Sequence, residues 1–127
     1  ASRARRIREG RLMLPRRIPK PAKRSSRWRS AAHMNFVRSH ACCNCGSDVA
    51  IEVAHVRLGS GAGMGQKPDD WRTVSLCKNC HVTQHMDGEK SFWRDAKIDP
   101  EALIEAFCKA SPKAREIREA RNATSDN

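Results

Sequence analysis

The sequence predicts a small α+β domain that paired cysteines stabilise and that follows a disordered basic tail. Three observations lead to this fold class. Two Cys-x2-Cys pairs bracket a segment with the pattern of a β-hairpin, helical patterns flank that segment, and the excess positive charge lies ahead of it. The 127 residues include three Phe, three Trp and no Tyr, so we expect one domain with a thin aromatic core. We place the tail at 1–29, the folded core at 30–98 and a helical extension at 99–127.

The first half of the core is expected to form one helix and two strands. Apolar residues at near-helical spacing predict a helix over 30–39. Alternating β-branched and apolar residues predict strands over 49–57 and 72–76. The connection between the strands is rich in glycine from Gly59 to Gly65, which indicates a flexible loop that also permits close approach to a phosphate chain.

The second half of the chain is expected to be helical. A short helix is predicted over 81–86, with Gly88 as its stop. Asp99 followed by Pro100 is a typical helix start, and Ser111 followed by Pro112 predicts another. Trp71 and Trp93 are expected in the core rather than as platforms for base stacking.

The paired cysteines predict a structural zinc site. Each Cys-x2-Cys turn can direct two thiolates at one tetrahedral ion, and the pairs are 31 residues apart. The predicted ligands are Cys42, Cys45, Cys77 and Cys80.

Other interpretations of the cysteines remain open at this stage. The four thiols could be buried or redox-active, and Cys43 could replace Cys42 as the first ligand. The segment from Cys77 to His81 also matches the c-type haem attachment pattern. No apolar signal segment or membrane-spanning stretch is evident, so we expect a cytoplasmic location, reduced thiols and no membrane partner.

The basic tail predicts a polyanionic partner. Residues 1–29 contain twelve Arg or Lys and one acid, whereas the other 98 residues have 13 side chains of each sign. Phosphate contacts by such a segment release counterions, although a solubilising tail or an organelle-targeting peptide has the same composition. The side chains expected to contact nucleic acid are Arg3, Arg5, Arg6, Arg8, Arg11, Arg16, Arg17, Lys20, Lys23 and Arg24.

Three histidines point to a second metal site. His81 and His85 are four residues apart, so a helix projects both imidazoles from one face toward one divalent ion. His55 lies on the first predicted strand, next to the start of this helix. An isolated pair of this spacing is more often two exposed helix histidines, but the cysteine turn fixes where this helix begins.

The motif order resembles the zinc-containing branch of the HNH nucleases, also called His-Me finger or ββα-metal nucleases. The similarity rests on Cys-x2-Cys, Ala54-His55, the glycine loop, and Cys77-x2-Cys80-His81 followed by His85. Phe36-Val37-Arg38, Ala54-His55-Val56-Arg57 and Lys67-Pro68-Asp69-Asp70 narrow the resemblance to prophage-encoded relatives of the phage recombination enhancement nuclease Ref. The similar region spans 33–98.

This resemblance implies a bacterial or phage-encoded DNA endonuclease with a ββα-metal core. His55 would be the general base, and His81 and His85 would hold Mg²⁺ or Mn²⁺. The products would carry 5′-phosphate and 3′-hydroxyl ends, and a recombinase filament is an expected partner. Arg57 and Lys67 flank the glycine loop and are expected to contact DNA phosphates, unless they are merely solvated.

Two departures from the family pattern leave alternatives open. Many relatives have an acid or a second His before the base, where this chain has Ala54, so only two protein ligands are evident. The middle Asn of the family has no counterpart, and Asp70, or else Asp69, is expected to orient His55. Both could equally be turn residues. A non-catalytic zinc-knuckle protein that binds nucleic acid is therefore the alternative function.

Overall fold

A two-stranded antiparallel sheet surrounded by helices forms the fold. The computed structural model describes residues 13–19, 27–62 and 66–125. Within these residues five helices and one sheet are present, so the predicted small α+β class is confirmed. The elements in chain order are α1 (Ala31–Arg38), β1 (Ile51–His55), β2 (Thr73–Cys77), α2 (Lys78–Asp87), α3 (Glu89–Ala96), α4 (Pro100–Ala110) and α5 (Ala114–Ser125).

The sheet lies at the centre of the core. Ile51 is opposite Cys77 and His55 is opposite Thr73, so the start of β1 lies beside the end of β2. All five residues of β2 are buried, because α1, α2 and α4 all contact this strand. The hydrophobic core that these elements share contains Val37, Ala54, Val56, Val74, Leu76, Phe92, Trp93, Ile104, Phe107, Cys108 and Ile117.

Helix boundaries follow the capping residues in the sequence. The Ser30 hydroxyl accepts from the backbone N–H of His33 (3.1 Å) at the start of α1. The Asp99 carboxylate accepts from the backbone N–H of Glu101 (3.0 Å) at the start of α4, with Pro100 in the first turn. Gly88 ends α2 with a φ of 85°, which glycine adopts without steric cost. These signals account for the correct prediction of α1, α2 and α4.

Helix α3 was not predicted from the sequence. It begins directly after Gly88, and no side chain caps its N-terminus. Only two residues of its eight, Phe92 and Trp93, are buried. Tertiary packing of these aromatic side chains, rather than a local signal, therefore stabilises this short helix.

Two parts of the predicted tail lie within the described residues: 13–19 is exposed, whereas 27–29 contacts the folded core instead of being disordered. Residues 13–19 have no regular secondary structure, and Arg16 and Arg17 lie on this exposed segment. The other tail residues expected to bind nucleic acid lie outside the described residues: Arg3, Arg5, Arg6, Arg8, Arg11, Lys20, Lys23 and Arg24. In the part of the chain covered by the structure, no helix has the length and apolar character needed to cross a membrane.

Candidate metal centre and active-site cleft

The four paired cysteines converge at the start of α2. The Sγ atoms of Cys42, Cys45, Cys77 and Cys80 all lie within 4.8 Å of one another. Cys45 Sγ and Cys77 Sγ are 3.6 Å apart. Four sulfurs on one tetrahedral zinc ion, with Zn–S distances of about 2.3 Å, would be separated by about 3.8 Å. The cluster therefore fits a structural metal such as zinc.

Local backbone geometry forms this cluster. The backbone N–H of Cys42 donates to Ser47 O (2.8 Å) and that of Gly46 donates to Cys42 O (3.0 Å), which closes the first turn. Gly46 has a φ of 78°, the left-handed conformation that this turn requires. The second pair starts α2, where Cys77 Sγ accepts from the backbone N–H of Cys80 (3.5 Å). Both turns thus direct their thiols toward the centre of the cluster.

Hydrogen bonding and burial shift the pKa values of Cys42 and Cys80 in opposite directions. Burial raises the pKa of Cys42, but backbone N–H groups of Cys45, Cys77 and Asn44 donate to its sulfur and lower its pKa to about 6. Burial raises the pKa of Cys80 to about 12. A bound cation would favour the thiolate form of the clustered sulfurs against the effect of burial.

The two remaining cysteines lie outside the cluster. Cys43 Sγ is 3.4 Å from the hydroxyl of Ser75, and Cys108 donates to Trp71 O (3.4 Å). Cys42 rather than Cys43 therefore occupies the first position of the four-sulfur cluster.

A second candidate site is an open cleft of about 470 Å³ along α2. His55 on β1 and His81 and His85 on α2 all line this cleft. The structure therefore brings together the three histidines that the sequence singled out.

His81 and His85 are placed to share one ion. Their Nε2 atoms are 3.2 Å apart. Two imidazole nitrogens bound about 2.1 Å from the same ion lie roughly 3.0 to 3.4 Å apart, depending on the coordination angle. The spacing of the pair is therefore compatible with two adjacent positions of one divalent ion, and the cleft beside it is open.

Glu52 orients His81 and was missed by the sequence analysis. Its carboxylate lies 2.8 Å from His81 Nδ1. When Nδ1–H donates to this carboxylate, the lone pair of Nε2 is available to a metal, as is common around metal-binding histidines. Its signal in the sequence is an acidic residue within an otherwise apolar strand, three positions before His55.

His55 is held by Asp70. His55 Nε2 donates to Asp70 Oδ1 at 3.0 Å. Burial lowers the pKa of His55 below its ordinary value, although the Asp70 carboxylate opposes this shift. His55 is therefore neutral at pH 7, and Nδ1, which has no hydrogen-bond partner in the described part of the chain, carries the basic lone pair.

The Asp70 carboxylate is ionised and fixed from several sides. Burial alone would raise the pKa of Asp70, but hydrogen bonds from His55 and the Ser30 backbone N–H, with the charge of Arg29, hold it below its usual value. The Ser30 N–H donates to Oδ2 (2.9 Å) and Arg29 NH1 donates to Oδ1 (3.1 Å). Asp70 is only 3% exposed, so its negative charge is directed at His55 and Arg29.

Asp69 has a different role. Its carboxylate accepts from the backbone N–H of Trp28 (2.6 Å) and pairs with Arg27 (3.5 Å). Arg29 also donates to the backbone carbonyls of Lys67 and Pro68. The segment 27–30 is thereby fastened to the loop that carries Asp70, and of the two acids only Asp70 contacts His55.

The rim of the cleft is partly basic. Arg57 and Lys67, which the sequence predicts to contact phosphate, both line it. Glu89 also lines it, but its carboxylate accepts from the backbone N–H groups of Arg57 (2.8 Å) and Leu58 (2.7 Å). This acid was not singled out in the sequence, and it fixes the backbone that follows His55.

Ala54 contributes no ligand. Its side chain is fully buried in the core, and the residue pairs with Val74 in the sheet. Across the described residues, the four cysteines are the one group of three or more Cys, His, Asp or Glu side chains arranged to hold a metal. Among the described residues, no third protein ligand joins His81 and His85 around one ion in the cleft.

Comparison with protein families gives one match. A family model described as "Protein of unknown function (DUF968)" matches residues 16–111, about three quarters of the chain. No curated protein and no solved structure matches the chain. The matched region includes the four-cysteine cluster, the three cleft histidines and the segment that holds Asp70. The chain belongs to the DUF968 family.

Proposed function

We propose that the chain is a metal-dependent DNA endonuclease of the HNH type, with β1, β2 and α2 as its ββα-metal core. One observation carries the proposal: a single cleft contains His55, paired with the ionised Asp70, and two imidazole nitrogens 3.2 Å apart on α2. A general base beside an open metal position can supply both an activated water and stabilisation of negative charge for hydrolysis of a phosphodiester.

His55 is the proposed general base. The hydrogen bond to Asp70 holds the tautomer in which Nε2 carries the proton, so Nδ1 can take a proton from water. That water attacks the phosphorus in line with the departing 3′ oxygen, which takes a proton from solvent, so the products carry a 5′-phosphate and a 3′-hydroxyl. Asp70 stabilises the imidazolium that forms, because its carboxylate stays ionised.

His81 and His85 are the proposed ligands of Mg²⁺ or Mn²⁺. A divalent ion bound to them would stabilise negative charge on the phosphoryl and leaving oxygens. Glu52 holds His81 with Nε2 directed away from the carboxylate and toward His85. Structural zinc is proposed for the four cysteines, where it fixes the start of α2 and hence the position of His81.

DNA is the proposed substrate because of where the positive charge lies. Arg57 and Lys67 line the cleft, and Arg16 and Arg17 are exposed in the described part of the tail. Residues 1–29 hold the entire net charge of +11. Contacts of this kind bind the phosphate backbone without reading the base sequence.

The second candidate function is a non-catalytic zinc-knuckle protein that binds nucleic acid. Ala54 favours it, since no third protein ligand for a cleft ion is present in the described residues. The two functions differ in one observable, which is whether bound DNA is cut.

Plasmid cleavage tests the proposal. We expect the zinc-loaded full chain to nick supercoiled plasmid when Mg²⁺ or Mn²⁺ is added. His55→Ala should reduce the rate by about 10²- to 10⁴-fold, the usual contribution of a general base. His40→Ala is the matched control, because His40 is exposed and does not line the cleft. Plasmid that is bound but never cut would favour the non-catalytic function, and equal rates for the chain and His55→Ala would refute the assigned base.

A further inference from the structure

Gln84 is a buried polar residue in the wall of the cleft. It lies on α2 three residues after His81 and one before His85, and it lines the same cleft as both. Residues three and four apart share one face of a helix, so Gln84 lies on the face that presents His81. Its side chain is almost completely enclosed, since the residue is only 2% exposed.

The amide nitrogen of Gln84 has no hydrogen-bond partner. Nε2 is buried, and no acceptor within the described residues is in reach. An unpaired buried donor costs free energy, because the group gives up its hydrogen bonds to water on folding. Because Gln84 lines the cleft, a small rotation of its side chain would bring this donor within reach of an acceptor oxygen on a bound ligand.

We propose that Gln84 Nε2 donates a hydrogen bond to a non-bridging oxygen of the phosphodiester bound in the cleft. This inference rests on the proposed function and names a substrate-binding residue for it. The amide is neutral at every pH, so it remains a donor under conditions where a histidine would lose its proton.

The surroundings of Gln84 favour an anionic acceptor. His81 and His85 flank it in sequence, and Arg57 and Lys67 line the same cleft. The Glu89 carboxylate, which also lines the cleft, is occupied by backbone N–H groups of Arg57 and Leu58. Phosphate oxygens carry the negative charge that these groups attract, and they supply an acceptor for the unpaired Nε2 of Gln84.

Nuclear magnetic resonance of the unaltered, zinc-loaded chain tests the contact directly. Without added Mg²⁺ or Mn²⁺, the side-chain amide protons of Gln84 should shift on titration with a short DNA duplex. They should also shift with inorganic phosphate at higher concentration, and they should not shift with chloride at equal ionic strength. A response to phosphate but not to DNA would mean that the site takes free phosphate, which would overturn the assignment to a phosphodiester.

Two variants at this position distinguish the amide nitrogen from the amide oxygen. Gln84→Met keeps the size of the side chain and removes the donor, so phosphate and duplex affinity should fall about 10- to 100-fold, the value of one hydrogen bond to a charged group. Gln84→Glu should weaken phosphate binding at least as much. If Gln84→Glu instead tightened Mn²⁺ binding, the side-chain oxygen would be a metal ligand and the inference would be wrong.

Thr83→Ala is the matched control. Thr83 is the preceding residue on α2, but it is exposed and its hydroxyl donates to Asn79 O (3.0 Å), outside the cleft. We expect its affinity for phosphate and duplex to be unchanged. The inference would be overturned if Gln84→Met bound phosphate and duplex as tightly as the unaltered chain does. It would also be overturned if the amide protons of Gln84 did not respond to saturating DNA.

The binding test at Gln84 does not depend on whether the chain cleaves DNA. If the amide protons of Gln84 respond to DNA but plasmid is never cut, the binding contact stands and the nuclease proposal fails. If plasmid is cut equally well by Gln84→Met, the nuclease proposal stands and the contact fails.

Discussion

Asp70 illustrates how one buried carboxylate determines the chemistry of its neighbour. It is held by Arg29 and the Ser30 backbone N–H and accepts from His55 Nε2, which keeps Nδ1 free. The sequence left Asp69 and Asp70 as alternatives, because both stand before the second strand. Only the folded chain separates them: segment 27–30 engages both carboxylates, and the Asp70 side chain alone reaches His55.

Asp70→Asn should lower kcat/KM for DNA cleavage by at least about 100-fold, because the amide no longer selects the productive tautomer of His55. The carboxylate raises the pKa of His55 against the effect of burial, so its loss should lower that pKa further. The rising limb of the pH–rate profile, where His55 loses its proton, should therefore move to lower pH. Asp69→Asn is the control and should leave this limb in place. An unshifted limb in Asp70→Asn would show that Asp70 does not act on His55.

Glu52→Gln should weaken Mn²⁺ binding about 10- to 100-fold, which is typical for the loss of a carboxylate that orients a ligating histidine. The reason is the hydrogen bond from His81 Nδ1 to the Glu52 carboxylate. Calorimetric titration of the zinc-loaded chain measures the affinity without relying on activity. Asp48→Asn, an exposed acid near the cysteine cluster, should bind Mn²⁺ as the unaltered chain does. Unchanged affinity in Glu52→Gln would contradict this role.

At the scale of elements, α2 joins the two candidate sites. Cys77 caps its N-terminus, Cys80 lies in its first turn, and His81 and His85 line the cleft. The sequence predicted this helix because cysteine and histidine spacing together specify one helical face. It did not predict α3, whose short length and lack of a cap leave no local signal, or the contact of Glu52 with α2, which depends on how the sheet and helix pack.

Helix α1 is anchored through a buried histidine. His33 is fully buried, and its Nδ1 lies 2.8 Å from the hydroxyl of Ser111, between α4 and α5. Its Nε2 has no partner within the described residues. Burial lowers the pKa of His33, so the imidazole is neutral in the folded chain near pH 7.

The unfolding free energy should therefore fall on acidification. Because the folded pKa of His33 is below its unfolded value of about 6.5, the unfolded chain binds the proton more tightly, and stability is lost as pH falls through this range. His33→Gln should cost about 1 kcal/mol at pH 7.5 and reduce the decline between pH 7.5 and 5.5. Part of the decline in unfolding free energy should remain in His33→Gln, because burial also lowers the pKa of His55. Urea unfolding measures both effects, with His40→Gln as the exposed control; an undiminished decline in His33→Gln would exclude His33 as a source.

At the scale of the whole molecule, the core is small and the cysteine cluster connects its parts. The cluster joins the turn after α1 to the end of β2 and the start of α2. The sequence predicted the four cysteines of this cluster, because their spacing is a local property of two turns. It could not assign the partners of Arg29, which was placed in the tail, since those contacts link residues about 40 positions apart.

Loss of the metal should unfold the domain. We expect the chain to bind one zinc ion at the cysteines, and Cys80→Ser should lose it together with the cooperative thermal transition, because binding and folding of such sites are coupled. Cys43→Ser should retain both, since Cys43 lies outside the cluster. Zinc content and circular dichroism report the outcome. Zinc loss in Cys43→Ser with retention in Cys80→Ser would reverse the ligand assignment.

The central claim is that two separate metal sites lie along α2, one closed by sulfur and one open beside His55. Anomalous diffraction from crystals of the zinc-loaded chain soaked in Mn²⁺ tests it most directly. We predict zinc on Cys42, Cys45, Cys77 and Cys80, and manganese bound to the Nε2 atoms of His81 and His85, with water in its remaining positions. Zinc on the sulfurs with no manganese between the two histidines at saturating Mn²⁺ would contradict the claim and leave the chain as a zinc-stabilised binding module.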